Sequence, residues 1–196
     1  MQVAIARRAL LNDKACGDQC DYWEHGPDWV LCMVDGLGHG EQAETAALAA
    51  LDYVAAHLNI PLQQLFKGCD AALRSTRGAA MSLVRVEPGG SLTYAGIGNT
   101  QARIWSPGQT GKQNLRLSSN YGIIGGGYRH LAPASARMGS QDLLVLHTDG
   151  ISDKFDPGVY DDELLNNLPA LASRLLADWG RSHDDAAVMI ARHKGA

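Results

Sequence analysis

The stretch Val30-Leu31-Cys32-Met33-Val34-Asp35-Gly36-Leu37-Gly38-His39-Gly40 decides how this chain is read. Five apolar residues in a row, ended by glycine, are the pattern of a buried strand. A carboxylate closes the run. Glycine at 36, 38 and 40 permits positive φ and close approach of the backbone to a ligand. Beyond it, Ala43, Ala46, Ala47, Ala50, Leu51, Val54 and Leu58 recur at three- and four-residue spacing, which predicts a helix over residues 41–58. Glu41 and Glu44 fall in its first turn, where the helix dipole favours acids. Asp35 therefore shares a corner with free helix N–H groups. An ordinary strand–turn–helix junction has the same pattern, so the loop alone does not define a ligand.

Three more aspartates stand at comparable corners. Asp149 follows the buried run Leu143-Leu144-Val145-Leu146 and precedes Gly150. Asp184 and Asp185 precede Ala186-Ala187-Val188-Met189-Ile190. Asp18 follows Gly17 and leads towards Asp28, in what reads as a loop before a strand. Carboxylates fixed at strand ends beside glycine suit hard, oxygen-seeking cations such as Mg²⁺ or Mn²⁺. Two adjacent carboxylates repel each other, and a cation relieves that repulsion. Each corner taken singly also fits a solvated turn.

Period-two patterning predicts further strands at residues 2–10, 81–86, 92–97, 102–105, 114–117 and 186–192. Gly98-Asn99 reads as a hairpin turn between two of them, and residues 120–128 as glycine-rich loop. A second amphipathic helix begins after Pro61. A third lies within residues 161–180, broken or restarted at Pro169. Strand sets with helices of one-sided apolarity predict an α+β layered fold over a single domain, residues 1–196.

At 196 residues and net charge −4, with no basic run, nucleic acid is not the expected partner. The start of the chain lacks the apolar core of a signal peptide, and no stretch suits a membrane span. A cytoplasmic location is expected. Cys16, Cys20, Cys32 and Cys69 lack finger spacing and read as small buried hydrophobes rather than a zinc site. Gly108-Gln109-Thr110-Gly111-Lys112-Gln113 fails as a phosphate loop because no Ser or Thr follows Lys112. No serine sits in a Gly-x-Ser-x-Gly elbow.

Read in order, Gly17-Asp18, Asp35-Gly36-Leu37-Gly38-His39-Gly40, Ala95-Gly96-Ile97-Gly98-Asn99, Thr148-Asp149-Gly150 and Asp184-Asp185-Ala186-Ala187-Val188 span most of the chain. Together they resemble the PPM/PP2C-type metal-dependent protein serine/threonine phosphatases. The likeness is to the short bacterial branch with SpoIIE-type and RsbU-type domains, above all to its stand-alone stressosome phosphatases. The resemblance implies a four-layer α-β-β-α sandwich of two antiparallel sheets flanked by helices. It also implies two Mn²⁺ or Mg²⁺ ions and hydrolysis by metal-activated hydroxide. Asp18, Asp35, the Gly36 carbonyl, Asp149 and Asp184 would be the metal ligands, with Asp35 shared and Asp184 preferred to Asp185. The expected partners are phosphorylated STAS-domain proteins of a stressosome, met by a monomer. An anti-anti-sigma factor as substrate and a catalytically weak binding module are the alternatives.

The chain departs from the family pattern at four places. Asp13, beside Lys14, stands where many members carry a phosphate-binding Arg. Leu37 replaces a His that follows Asp-Gly in some members, which leaves His39 as the tentative leaving-group acid. Asn99 replaces an Asp that binds a third metal in many members. Ala187 stands where Thr or Ser is common. With no long insertion, substrate choice is expected to fall to residues 120–130.

Overall fold

The computed structural model describes residues 1–10, 13–107 and 114–193. The phosphate-loop look-alike over residues 108–113 lies outside them. Two five-stranded antiparallel sheets face each other. The first runs β1 (Gln2–Arg8), β12 (Ala186–Arg192), β11 (Leu143–His147), β6 (Gln101–Trp105), β7 (Asn114–Leu117). The second runs β10 (Ala134–Arg137), β5 (Ser91–Ile97), β4 (Ala79–Val86), β3 (Asp28–Gly36), β2 (Asp18–His25).

Three apolar clusters make the layers. Leu31, Met33, Val84 and Tyr94 of the second sheet meet Ile104, Leu144, Leu146 and Met189 of the first, forming the interior between sheets. On the outer face of the second sheet, α1 (Glu41–Ala56) and α2 (Leu62–Ala72) bury Ala47, Val54, Leu65 and Phe66 against Val30, Cys32, Val34 and Met81. On the outer face of the first, α4 (Leu168–Trp179), preceded by the short α3 (Asp162–Asn166), packs Leu171, Ala172 and Leu175 on Val145, Val188 and Ile190. The α-β-β-α sandwich is thus present. Alternate side chains of β3 feed both cores, which is why residues 30–34 read as a continuous apolar run.

Four local expectations need correction. Gly98-Asn99 is not a hairpin turn: β5 and β6 belong to different sheets, and the turn carries the chain from one to the other. Asp18 does not lie in a loop but opens β2, an edge strand. Residues 120–128 hold a small ribbon, β8 (Gly122–Ile123) with β9 (Gly127–Tyr128). Residues 134–137 form edge strand β10, which the periodicity did not predict. The helix break near Pro169 falls at Asn167, whose side chain accepts from the Ala170 N–H and caps α4.

Candidate active site

The four aspartates come to one end of the sandwich, two from each sheet. Asp18 at the start of β2 stands opposite Asp35 at the end of β3, in register. Asp149 follows β11 and Asp184 precedes β12, neighbouring strands of the other sheet. Tight backbone packing brings them there. A Cβ on Gly150 would overlap the Asp185 carbonyl oxygen, so only glycine lets the Asp149 corner lie on the start of β12. Gly36 is pressed in the same way against the backbone of α1 at Ala43. The Gly36 N–H donates to the Gly17 carbonyl (3.0 Å), and Leu37 N–H to that of Gly78 (3.0 Å), which fixes the loop after Asp35.

Asp184 and Asp185 have separate roles. Asp185 is buried, and its carboxylate accepts from the N–H groups of Leu10 (2.7 Å) and Gly17 (2.8 Å). It ties the segment before Asp18 to the other sheet. Asp184 is only partly buried. Asp18 is buried, and its Oδ2 has no hydrogen-bond partner. An unpaired buried carboxylate oxygen is costly. Burial, reinforced by the charge of Asp35, pushes the Asp18 carboxyl up to about 9. Burial and then Asp149 push Asp35 up to about 7, and a hydrogen bond from Asn99 opposes the rise. Asp184 is raised by burial and by Asp149.

The Asn99 amide donates to Asp35 Oδ2 (3.0 Å) and to Asp149 Oδ2 (2.8 Å). Sequence patterning did not suggest this role; the place of Asn99 on the crossover between sheets creates it. His39 is exposed on the rim, its Nδ1 3.3 Å from Asp13 Oδ2. Arg77 lies over Gly38, with Nη1 2.8 Å from where a Cβ would stand. Beside the carboxylates runs an open groove of about 460 Å³ lined by Leu37, Ala80, Asn99, Tyr121 and Ile123. Tyr121, Gly122, Ile123 and Gly127 bring the β8–β9 ribbon to its edge, and residues 120–122 and 126–130 line a separate open groove. All four cysteines are buried and free, and burial pushes the thiols of Cys16, Cys20 and Cys69 up to about 12.

Among the described residues, no three Asp, Glu, His or Cys side chains are drawn together closely enough to hold a metal ion by themselves. A hard divalent cation can be held by one or two carboxylates with a carbonyl and water completing its shell. The orphaned Asp18 oxygen and the raised Asp18 and Asp35 carboxyls are features a cation would relieve, so the donor set fits one.

Known proteins share this architecture. A chain of a solved structure described as the bacterial stressosome, a modular system adapted to control secondary messenger signalling, is 32% identical. It aligns with a TM-score of 0.88 over 97% of this chain and 98% of its own. RsbX in complex with magnesium aligns with a TM-score of 0.77 at 18% identity, over 96% of this chain and 93% of that one. Phosphoserine phosphatase RsbX of Bacillus subtilis (strain 168) is 24% identical over 138 residues, 70% of this chain and 68% of that protein. The fold and these relatives define a PP2C-type protein serine/threonine phosphatase. The Stage II sporulation protein E (SpoIIE) family matches residues 25–194, and the chain belongs to that family. Among the described residues no helix is long and apolar enough to cross a membrane.

Proposed function

We propose that this phosphatase removes phosphate from serine or threonine of STAS-domain stressosome proteins, using two Mn²⁺ or Mg²⁺ ions, as a cytoplasmic monomer. The observation that carries the metal dependence is the buried Asp18 Oδ2, unpaired and opposite Asp35. Likeness to a chain of a stressosome structure and to RsbX supports the substrate class.

In this reading Asp18, Asp35, the Gly36 carbonyl, Asp149 and Asp184 would hold the cations. When bound, the cations would acidify water and neutralise phosphoryl oxygens. The protein's own part is positional. Asp185 ties the Asp18 segment down, and the packed glycines keep the strand ends together. No aspartate is the nucleophile, so no phosphoenzyme forms. His39, paired with Asp13 on the rim loop, would give a proton to the departing serine or threonine oxygen.

Phosphate release from a phosphorylated stressosome STAS protein and from a phosphorylated anti-anti-sigma factor tests this reading. We expect Mn²⁺-dependent release from the first, abolished by EDTA and by Asp35→Asn. Release untouched by Asp35→Asn would remove the metal assignment. Faster release from the anti-anti-sigma factor would replace the substrate.

A further inference from the structure

The crossover from β5 to β6 does more than change sheets. Its backbone is held on both sides of Asn99. The Gly98 N–H donates to the Asn120 carbonyl (2.9 Å), and the Thr100 carbonyl accepts from the Ser119 hydroxyl (2.8 Å). Gly98 has φ +94, and any Cβ there would run into Ala80, so the turn is pressed onto β4. Asn99 is thereby set at a fixed point between the sheets. Its amide nitrogen donates to Asp35 Oδ2 on one side and Asp149 Oδ2 on the other. A primary amide has two hydrogens on one nitrogen, one for each carboxylate, and no charge of its own. Aspartate, glutamate or an apolar residue could not make both contacts with ionised partners.

We propose that Asn99 is a positioning residue that braces Asp35 of one sheet to Asp149 of the other and presets their oxygens for a divalent cation. The inference rests on the metal-ligand reading above. Each carboxylate oxygen has lone pairs to spare, so it can accept from Asn99 and still face a cation. Partners of this kind around metal ligands are typically worth about 10–100-fold in metal affinity. Because Asn99 is exposed and lies outside the three apolar cores, removing it leaves those cores untouched.

Calorimetric titration of Mn²⁺ into the wild type, Asn99→Ala and Asn99→Leu tests the brace. Leu keeps the bulk and loses the donors. Both variants are expected to bind Mn²⁺ roughly 10–100-fold more weakly. In EDTA both variants should still unfold cooperatively, shifted by no more than the few degrees that two lost hydrogen bonds cost. A wild type that binds no Mn²⁺ overturns the metal reading and the brace with it. A wild type that binds while both variants match it overturns the brace alone. So does Asn99→Leu binding as well as the wild type, or a weakened affinity accompanied by loss of the cooperative unfolding transition in EDTA.

Discussion

Replacing Gly36 with alanine adds one methyl group where the Asp35 loop meets helix α1. Gly36 does not lie in the left-handed region, so the obstacle is space rather than φ. The new Cβ would overlap the Ala43 carbonyl oxygen and stand 2.7 Å from its carbonyl carbon, well inside contact distance. That obstacle is helix backbone, which cannot swing aside as a side chain does. Helix α1 is itself held by its buried face, Ala43, Ala46, Ala47, Ala50, Leu51 and Val54. Either the helix or the strand end must shift. Overpacking of this kind costs about 1–3 kcal/mol, and a backbone obstacle belongs at the upper end. For a chain of this size 1 kcal/mol moves the melting temperature by about 2–4 °C, so Gly36→Ala should melt roughly 6–12 °C lower. Gly139→Ala is the control, since its nearest neighbour would be Asp142 Oδ2 at an ordinary 3.5 Å. Differential scanning calorimetry in EDTA compares the two. The displaced loop should also bind Mn²⁺ more weakly by titration calorimetry. If Gly36→Ala melted with Gly139→Ala and kept wild-type Mn²⁺ affinity, α1 would not be the wall that sets the Asp35 loop.

In EDTA, stability should fall as pH rises from about 4 to 9, because Asp18 and Asp35 sit at about 9 and about 7 in the folded state, above the ordinary 3.8. The folded protein then holds protons that the unfolded chain has already released, so stability drains as pH climbs towards those values. Asp18→Asn should flatten the melting curve against pH while abolishing phosphatase activity; superimposable curves would refute the assignment of the burden to Asp18. Tyr121, 99% exposed beside the groove, is expected to touch substrate rather than core. Tyr121→Ala should leave the melting temperature and turnover of a small aryl phosphate unchanged while raising KM for the phosphoprotein roughly 5–10-fold, the effect of a modest contact residue; equal kinetics on the phosphoprotein would rule that contact out.

Much of the architecture could be read locally. The alanine-rich period after Gly40 specifies a helix that lies close on its sheet, and α1 spans Glu41–Ala56. Residues 30–34 declare burial on both faces. What escaped were edges and crossings. Strand β2 contains Asp18, Asp21, Glu24 and His25, and an edge strand with exposed outer positions has little hydrophobic alternation to show. Strand β10 is four small or polar residues following Pro133. The Gly98-Asn99 turn looked like a hairpin because short turns between strands usually are one. Only the partners of β5 and β6 tell that they part, and partner choice is a long-range property. The same gap hid Asn99: the residue is plain in the sequence, while its two carboxylate partners are 64 and 50 positions away. Nothing in the local pattern of Asp184-Asp185 separates the two carboxylates; only the family resemblance favours Asp184. The two N–H groups held by Asp185 give a physical reason for it to serve the scaffold.

The division of the aspartates between two sheets has a mechanical side. Asp18 and Asp35 face each other across a backbone ladder, while Asp149 and Asp184 sit just beyond the ladder that joins β11 to β12. The gap between the pairs is set by the thickness of the shared interior, where Leu31, Met33 and Tyr94 abut Leu144, Leu146 and Met189. That interior acts as a gauge block for the catalytic end. Swelling or thinning it by a methyl group would mistune the spacing long before the chain unfolded.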